Sequence, residues 1–191
     1  MCAPAEPSWL RPPTMCAPAE PSWLRRSLLP HLRLPVDLPV HFIGEKVVTA
    51  TDFDPRQRRF RLPPYGVEHN LRPILTAEEL EFANLSYEDD NATTTEEQGT
   101  TGEKRKKRRH RGGGLAVVVV DVRARSIELG LSRGANSTTI MGPGYLGFIN
   151  NCSFTVHDVV QMWAFSSDAS PSNVEEIPLC IVIAKKPKPQ T

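Results

Sequence analysis

Ile127, Leu129 and Leu131 alternate with Ser126, Glu128 and Gly130, which predicts a strand with one buried and one exposed face. Just before it, LAVVVVDV at 115–122 sets apolar, mostly β-branched residues at consecutive positions, as in a strand buried on both sides. Val156–Phe165 and Leu179–Ala184 predict the last two strands. Over 159–165 large apolar side chains fall on both parities, so the pattern leaves the facing of that strand open. Residues 46–63, KVVTATDFDPRQRRFRLP, read as a strand, a polar turn marked by Asp54-Pro55, and a second strand stopped by Pro63-Pro64. Phe60 and Leu62 share one face of that second strand, while Arg59 and Arg61 share the other. Thr76, with Glu79 three residues on and acids in the first turn, predicts a short capped helix. A second short helix is expected from about Gly144. The sum is a mainly β fold of about seven short strands and two short helices, in an open, barrel-like arrangement.

Two segments lie outside this pattern. Nine of the 18 prolines fall in residues 1–41, which reads as a disordered or polyproline-like tail. Within it, MCAPAEPSWLR at 1–11 recurs at 15–25, so that Met15 is a candidate alternative start. The arginines of SWLRRSLLPHLRL (22–34) also fit an organelle transit peptide. Pro35-Val36-Asp37-Leu38 has the form of a short corepressor-docking motif, a four-residue match that chance readily produces. Residues 86–114 lose all hydrophobic periodicity, running from acidic and threonine-rich to basic to glycine. Such a stretch buries too little apolar surface to offset its ordering entropy, so a disordered insertion is expected there. The domain is then 42–186, interrupted at 86–114, with a short tail at 187–191.

Charge adds a second distinction. The formal net charge is +1, but seven of the 23 Lys+Arg sit in KRKKRRHR at 104–111, which leaves the rest of the chain clearly acidic. The chain is thus not a uniformly basic nucleic-acid binder; its positive charge concentrates in that run and in Arg56, Arg58, Arg59 and Arg61. Four cysteines without metal-ligand spacing, and no apolar run of the ~20 residues a membrane helix needs, point to reduced thiols, an intracellular compartment and no membrane partner. The sequons at Asn84, Asn91, Asn136 and Asn151 are then idle.

Several motifs invite chemistry. Gly142-Pro-Gly-Tyr-Leu-Gly147 spells GxGxxG, but no βαβ unit surrounds it, and the glycines are expected to shape a loop-to-helix turn. Cys152, His157 and Asp158 suggest a nucleophile, yet adjacent His and Asp side chains diverge on a strand, and Asp158 better suits a turn-fixing role. No enzyme activity and no cofactor are expected. Lys104, Arg105, Lys106, Lys107, Arg108, Arg109 and Arg111 have the form of a nuclear-localisation signal read by importin; the plain alternative is a solvated charge run. The arginine-rich turn is either a solvated hairpin or a rigid cationic finger that reads a groove, since arginine matches guanine and glutamine matches adenine bidentately.

Thr49, Thr51-Asp52, Asp54-Pro55, Gln57, Arg59, Leu62 and Pro63, followed by Gly144-Tyr145 with Phe148, His157-Asp158-Val159-Val160 and Trp163-Ala164-Phe165, resemble in order and spacing the plant B3 DNA-binding domain, in its divergent branch. The resemblance covers roughly residues 42–84 and 114–186. It implies an open seven-stranded β-barrel, the pseudobarrel of that family, whose two loops clasp the major groove of double-stranded DNA. Carried over residue by residue, one arm would be Arg56, Gln57, Arg58 and Arg59. The other would be Arg133, Asn136, Ser137, Thr138 and Thr139. The family often has a tryptophan, a basic residue and a tyrosine in the second arm; here Arg133 is its only cation. The expectation is a nuclear transcription regulator that binds DNA sequence-specifically and meets other regulators. The alternative is a B3-derived protein–protein module that has lost that specificity.

Overall fold

The computed structural model describes residues 18–86, 110, 113–166 and 178–187. Seven strands form one sheet: β1 (His41–Val47), β2 (Arg59–Arg61), β3 (Leu115–Asp121), β4 (Ser126–Arg133), β5 (Thr138–Met141), β6 (Val159–Phe165) and β7 (Cys180–Lys185). Their order is β1-β6-β7-β3-β4-β5-β2. All neighbours run antiparallel except β3 and β7. The sheet curls until its two edges approach: Lys46 Nζ of β1 lies 3.7 Å from the centre of the Phe60 ring of β2. The architecture is therefore the expected mainly β, open, half-barrel sheet with a few short helices.

The strand whose facing the pattern left open now resolves. Val160, Met162 and Ala164 of β6 join the main core inside the curl, together with Val117 and Val119 of β3 and Ile181 and Ile183 of β7. Trp163 and Phe165 point the opposite way, with Val120 and Val182. Three adjacent strands thus carry apolar side chains on both faces, and the outer face needs a cover. Residues before β1 supply it: helical turns Leu24–Leu28 and Leu29–His31 bury Leu24, Leu28 and Leu29, and Leu38 packs beside them.

This corrects the disordered tail expected at 1–41, for its second half. Proline argued against order there, but Pro21 stands just before the continuous helical stretch 22–31, where a missing N–H is no loss, and Pro30 falls in its last turn. The proline-bounded turn that follows is pinned from outside. Arg25 Nη1 donates to the carbonyls of Val36 (2.6 Å) and Leu38 (3.0 Å). Burying a leucine contributes about 1.5–3 kcal/mol, so three of them outweigh what the prolines withhold. Residues 1–17 lie outside the described residues.

Other boundaries moved. β1 ends at Val47 rather than beginning near Lys46, and it pairs with β6; β2 pairs with β5. The segment 48–58 is therefore no hairpin loop but the link between the two edges of the sheet. β5 occupies residues read as polar loop, although Thr138–Met141 is itself a short run rich in β-branched residues. Residues 64–74, left without an element by the sequence reading, form consecutive helical turns Pro64–Gly66, Val67–Leu71 and Arg72–Ile74. Most of the insertion expected at 86–114 lies outside the described residues. Within it, His110 is buried: its N–H donates to the Gly114 carbonyl at 3.0 Å, and its ring fills space where Gly130 and Gly142 carry no Cβ.

The predicted helix caps are present. Thr76 Oγ1 accepts from Glu79 N (3.2 Å) and Glu79 Oε2 accepts from Thr76 N (2.9 Å), opening helix Ala77–Phe82. Gly144, at φ 81°, turns the chain into helix Tyr145–Asn151, where a Cβ would meet Ile127 at 2.8 Å. Asp158 does fix a turn: its Oδ2 accepts from Thr155 N (2.8 Å) and Thr155 Oγ1 (2.9 Å), and Lys185 Nζ stands 2.7 Å away.

Two predictions follow from this packing. Leu24→Ala and Leu29→Ala should each lower the free energy of unfolding by about 2–5 kcal/mol, read from urea denaturation; unchanged midpoints would mean that the segment contributes nothing to the fold. Lys185 and the Thr155 N–H lower the Asp158 carboxyl from 3.8 to about 2. A carboxyl depressed by folding stabilises above its unfolded pKa, and that stabilisation is lost as pH falls through the folded one. The stability difference between the protein and Asp158→Asn should therefore be full at neutral pH and shrink between pH 3.8 and about 2. A difference that does not change over that window would contradict the assignment.

Candidate nucleic-acid interface

The arginine segment is held from its base. Asp52, almost fully buried, pairs with Lys46 and accepts hydrogen bonds from Thr49 N (2.8 Å) and Thr49 Oγ1 (3.0 Å). Its carbonyl accepts from the buried Tyr145 hydroxyl at 2.8 Å. Burial, with Asp52 nearby, raises the tyrosine pKa, so that hydroxyl stays a donor. Burial lowers the Lys46 pKa; Asp52 opposes the shift and the positive charge of Arg61 adds to it.

Beyond Asp52 the chain turns through Asp54–Arg58. Asp54 Oδ1 accepts from Arg56 N at 2.8 Å, an Asx turn that fits the Asp-Pro signal. Arg58 adopts φ 45°, a left-handed conformation, and its Nε donates to the Pro55 carbonyl at 2.9 Å. Arg56 and Arg58 are exposed at the tip. Gln57 is not free there. Its Nε2 donates to Asp54 at 3.3 Å and its Oε1 accepts from Arg59 Nη2 at 3.1 Å. In this arrangement it orients Arg59.

β2 then returns against β5 with Arg59 opposite Met141, Phe60 opposite Ile140 and Arg61 opposite Thr139. Phe60 and Ile140 enter the core. Arg59 and Arg61 take the other face, as their parity required. β4 pairs with β5 in turn, Ser132 opposite Thr139 and Arg133 opposite Thr138. The loop 134–137 that joins those two strands is closed by Gly134 N donating to the Ser137 carbonyl at 3.0 Å. The two sequence-distant arms therefore flank one cleft of 360 Å³. Arg59, Arg61, Ser132, Asn136, Ser137 and Thr139 supply its polar side chains, and Gly113 and Gly114 form part of its wall.

No carboxylate among the described residues lines this cleft. Among the described residues Arg56, Arg58, Arg59 and Arg61 form no ion pair, whereas Arg25, Arg72, Arg125 and Arg133 each face a carboxylate. Arg59 Nε is shielded from solvent and has no hydrogen-bond partner among the described residues. The cleft thus presents uncompensated guanidinium charge beside hydroxyl and amide groups, a donor set suited to anionic oxygens and to the edges of bases.

The expected site residues divide accordingly. Arg59, Asn136, Ser137 and Thr139 come together. Arg56 and Arg58 are exposed on the turn that leads into β2 and do not line the cleft. Arg133 is directed elsewhere: its Nη1 donates to Glu68 at 3.2 Å, its carbonyl accepts from Asn84 Nδ2 at 3.0 Å, and its N–H donates to the Ala83 carbonyl at 2.8 Å. It fastens the second arm to the end of helix Ala77–Phe82. Thr138 and Thr139 are both buried; Thr139 forms part of the cleft floor, whereas Thr138 does not line it and its carbonyl accepts from Leu62 N at 2.9 Å. Arg61 and Ser132 join the cleft without having been among the expected contacts; the alternation that pairs Arg61 with Arg59 was the available signal. Lys104–Arg109 and Arg111 lie outside the described residues.

The nucleophile motif finds no support in the state of its cysteine. Burial, with Asp121 nearby, pushes the Cys152 thiol up to about 12, which keeps it protonated at neutral pH. His157, at φ 75°, and Asp158 lie in the turn before β6, where the His157 N–H and the Asp158 carbonyl bond to Val48 at 2.8 Å.

No family model matches the chain, and neither does any curated protein. Among solved structures, it is similar to an Arabidopsis FUS3-DNA complex, with 11% sequence identity, over 77% of this chain and 99% of that one, at a TM-score of 0.38. At that level the likeness carries no functional argument.

Proposed function

We propose that this protein binds double-stranded DNA through the two arms that flank the Arg59–Arg61 cleft, and that binding rather than catalysis is its activity. One observation carries the reading. Two segments about 75 residues apart, Arg59–Arg61 and Ser132–Thr139, are brought by the β2–β5–β4 register to a single cleft whose arginines have no acidic partner among the described residues. Unpaired arginines on a short strand are preorganised, since the core residues between them fix their direction. Such a site suits phosphate contacts, which give affinity, and base-edge contacts, which give sequence preference. The resemblance of the sequence to the plant B3 domain points the same way. In this reading Arg56, Arg58 and Arg59 make contacts at the tip, Arg61 supports them from the strand, and Asn136, Ser137 and Thr139 approach from the other side. The basic run 104–111 serves nuclear import and adds a nonspecific phosphate component.

The interaction-module alternative draws on two other observations: Arg133 is committed to Glu68, and Gln57 is held between Asp54 and Arg59. Both reduce what the arms can offer to bases.

Electrophoretic shift with duplex DNA over a salt series separates the contributions. A base-contacting arginine is worth about 1–3 kcal/mol of discrimination, and a phosphate contact about one unit of salt slope. Arg58→Ala or Arg59→Ala should flatten the preference among duplexes selected by the intact protein. Replacing the seven basic residues of 104–111 with glutamine should weaken all duplexes alike. If no duplex is preferred by the intact protein, the sequence-specific reading falls and the interaction module takes its place. The same glutamine variant, fused to a fluorescent protein too large to diffuse through nuclear pores, should shift from nucleus to cytoplasm; unchanged accumulation would remove the import role.

A further inference from the structure

A second groove, of 890 Å³, runs along the free edge of β1, and its walls include Phe42, Ile43, Tyr65, His69, Pro73 and Ile74. β1 pairs on one side only, with β6, so its other edge faces this groove. An unpaired edge ordinarily invites an added strand. Here that mode is closed. Gly66 packs so tightly on the edge that a Cβ would lie 1.7 Å from the Ile43 carbonyl oxygen, and the register is interrupted between Phe42 and Gly44. What remains is an aromatic surface: Tyr65 is 58% exposed, with its ring 4.2 Å from that of His69, while Phe42 is braced by Trp163 at 4.9 Å. A polyproline helix makes no ladder hydrogen bonds and docks on such aromatic grooves.

The chain carries such a ligand. Residues 4–13 read PAEPSWLRPP, with four prolines and a tryptophan. Their first four, Pro-Ala-Glu-Pro, recur as Pro18–Pro21, and Pro18 itself lines the groove. The first residue of one copy therefore already touches this surface, and the other copy precedes it by 14 residues on the same chain. A ligand tethered so closely acts at an effective concentration of about a millimolar, enough to fill the groove even when each contact is weak.

We propose that Pro4–Pro13 docks in this groove of its own chain as an extended, proline-rich ligand, with Tyr65 and His69 as the platform it rests on. The groove is then a self-occupied peptide site, open to a proline-rich segment of another protein only by competition.

The test uses the full-length protein. Burial pushes the thiols of Cys152 and Cys180 up to about 12, so with Cys16→Ser a nitroxide label at neutral pH goes to Cys2. In ¹⁵N-labelled protein the label should broaden the amide signals of Tyr65, His69 and Ile74 more than those of Arg56 and Val122. Substituting alanine at Pro4, Pro7 and Trp9 together, or at Tyr65, should abolish that excess. A mixture of spin-labelled chain without ¹⁵N and ¹⁵N chain without the spin label should show none. Broadening spread evenly over the surface, broadening indifferent to both sets of substitutions, or broadening at the groove that persists in the mixture, which would make a second copy the donor, would each overturn the proposal.

Discussion

The ion pair of Lys46 and Asp52 stands where the curled sheet fails to close. Lys46 belongs to one edge strand, lies over the Phe60 ring of the other, and pairs with a carboxylate on the link between them. No ladder of hydrogen bonds joins β1 to β2, so side chains hold this seam. Removing one partner of a buried pair leaves an uncompensated charge, at a cost of about 3–5 kcal/mol. Removing the Asp52 side chain would also release Thr49, whose N–H and hydroxyl its carboxylate accepts from; the bond from the Tyr145 hydroxyl goes to the backbone carbonyl and does not depend on the side chain. Three separate parts of the chain meet at this residue, and the first arginine of the arm follows four positions later.

The arm inherits its direction from that base. From Asp54 to Arg58 it is shaped by local bonds, an Asx turn and a left-handed residue. From Arg59 onward it is a strand whose alternate residues are fixed by Phe60 in the core. The second arm is anchored independently, by Arg133 to Glu68 and to the end of helix Ala77–Phe82. Neither anchor uses the cleft arginines, which leaves their charge available to a ligand. Among the described residues Arg25, Arg72, Arg125, Arg133, Lys185 and Lys186 face carboxylates while Arg26, Arg33 and Arg123 stand unpaired singly, so what marks the arm is four unpaired arginines gathered within 56–61.

Local features were legible in the sequence. The period-two pattern of β4, the capping box at Thr76, the glycine turn at Gly142–Gly144 and the split of Arg59 and Arg61 from Phe60 and Leu62 each rest on chemistry within a few residues. What the sequence hid was long-range. Nothing near β1 indicates that its partner is β6, over 110 residues on, and so 48–58 looked like a hairpin instead of a link between edges. The apolar residues on both parities of β6 were visible, but their cover was not. Leu24 and Leu28, one helical turn apart, were the clue, outvoted by the surrounding prolines. Arg133 looked like a contact because its ionic partner, Glu68, lies 65 positions away in sequence. Arg61 was overlooked although the same alternation that selected Arg59 selects it.

The most direct test is to titrate the ¹⁵N-labelled protein with a short DNA duplex and follow the amide shifts. Binding through the cleft predicts one contiguous set of perturbed residues, Arg56–Arg61 with Ser132–Thr139, which saturates together and is lost when Arg59 and Arg61 are both replaced by alanine. Shifts that map instead to the groove beside Tyr65, or only to the basic run at 104–111, would contradict it.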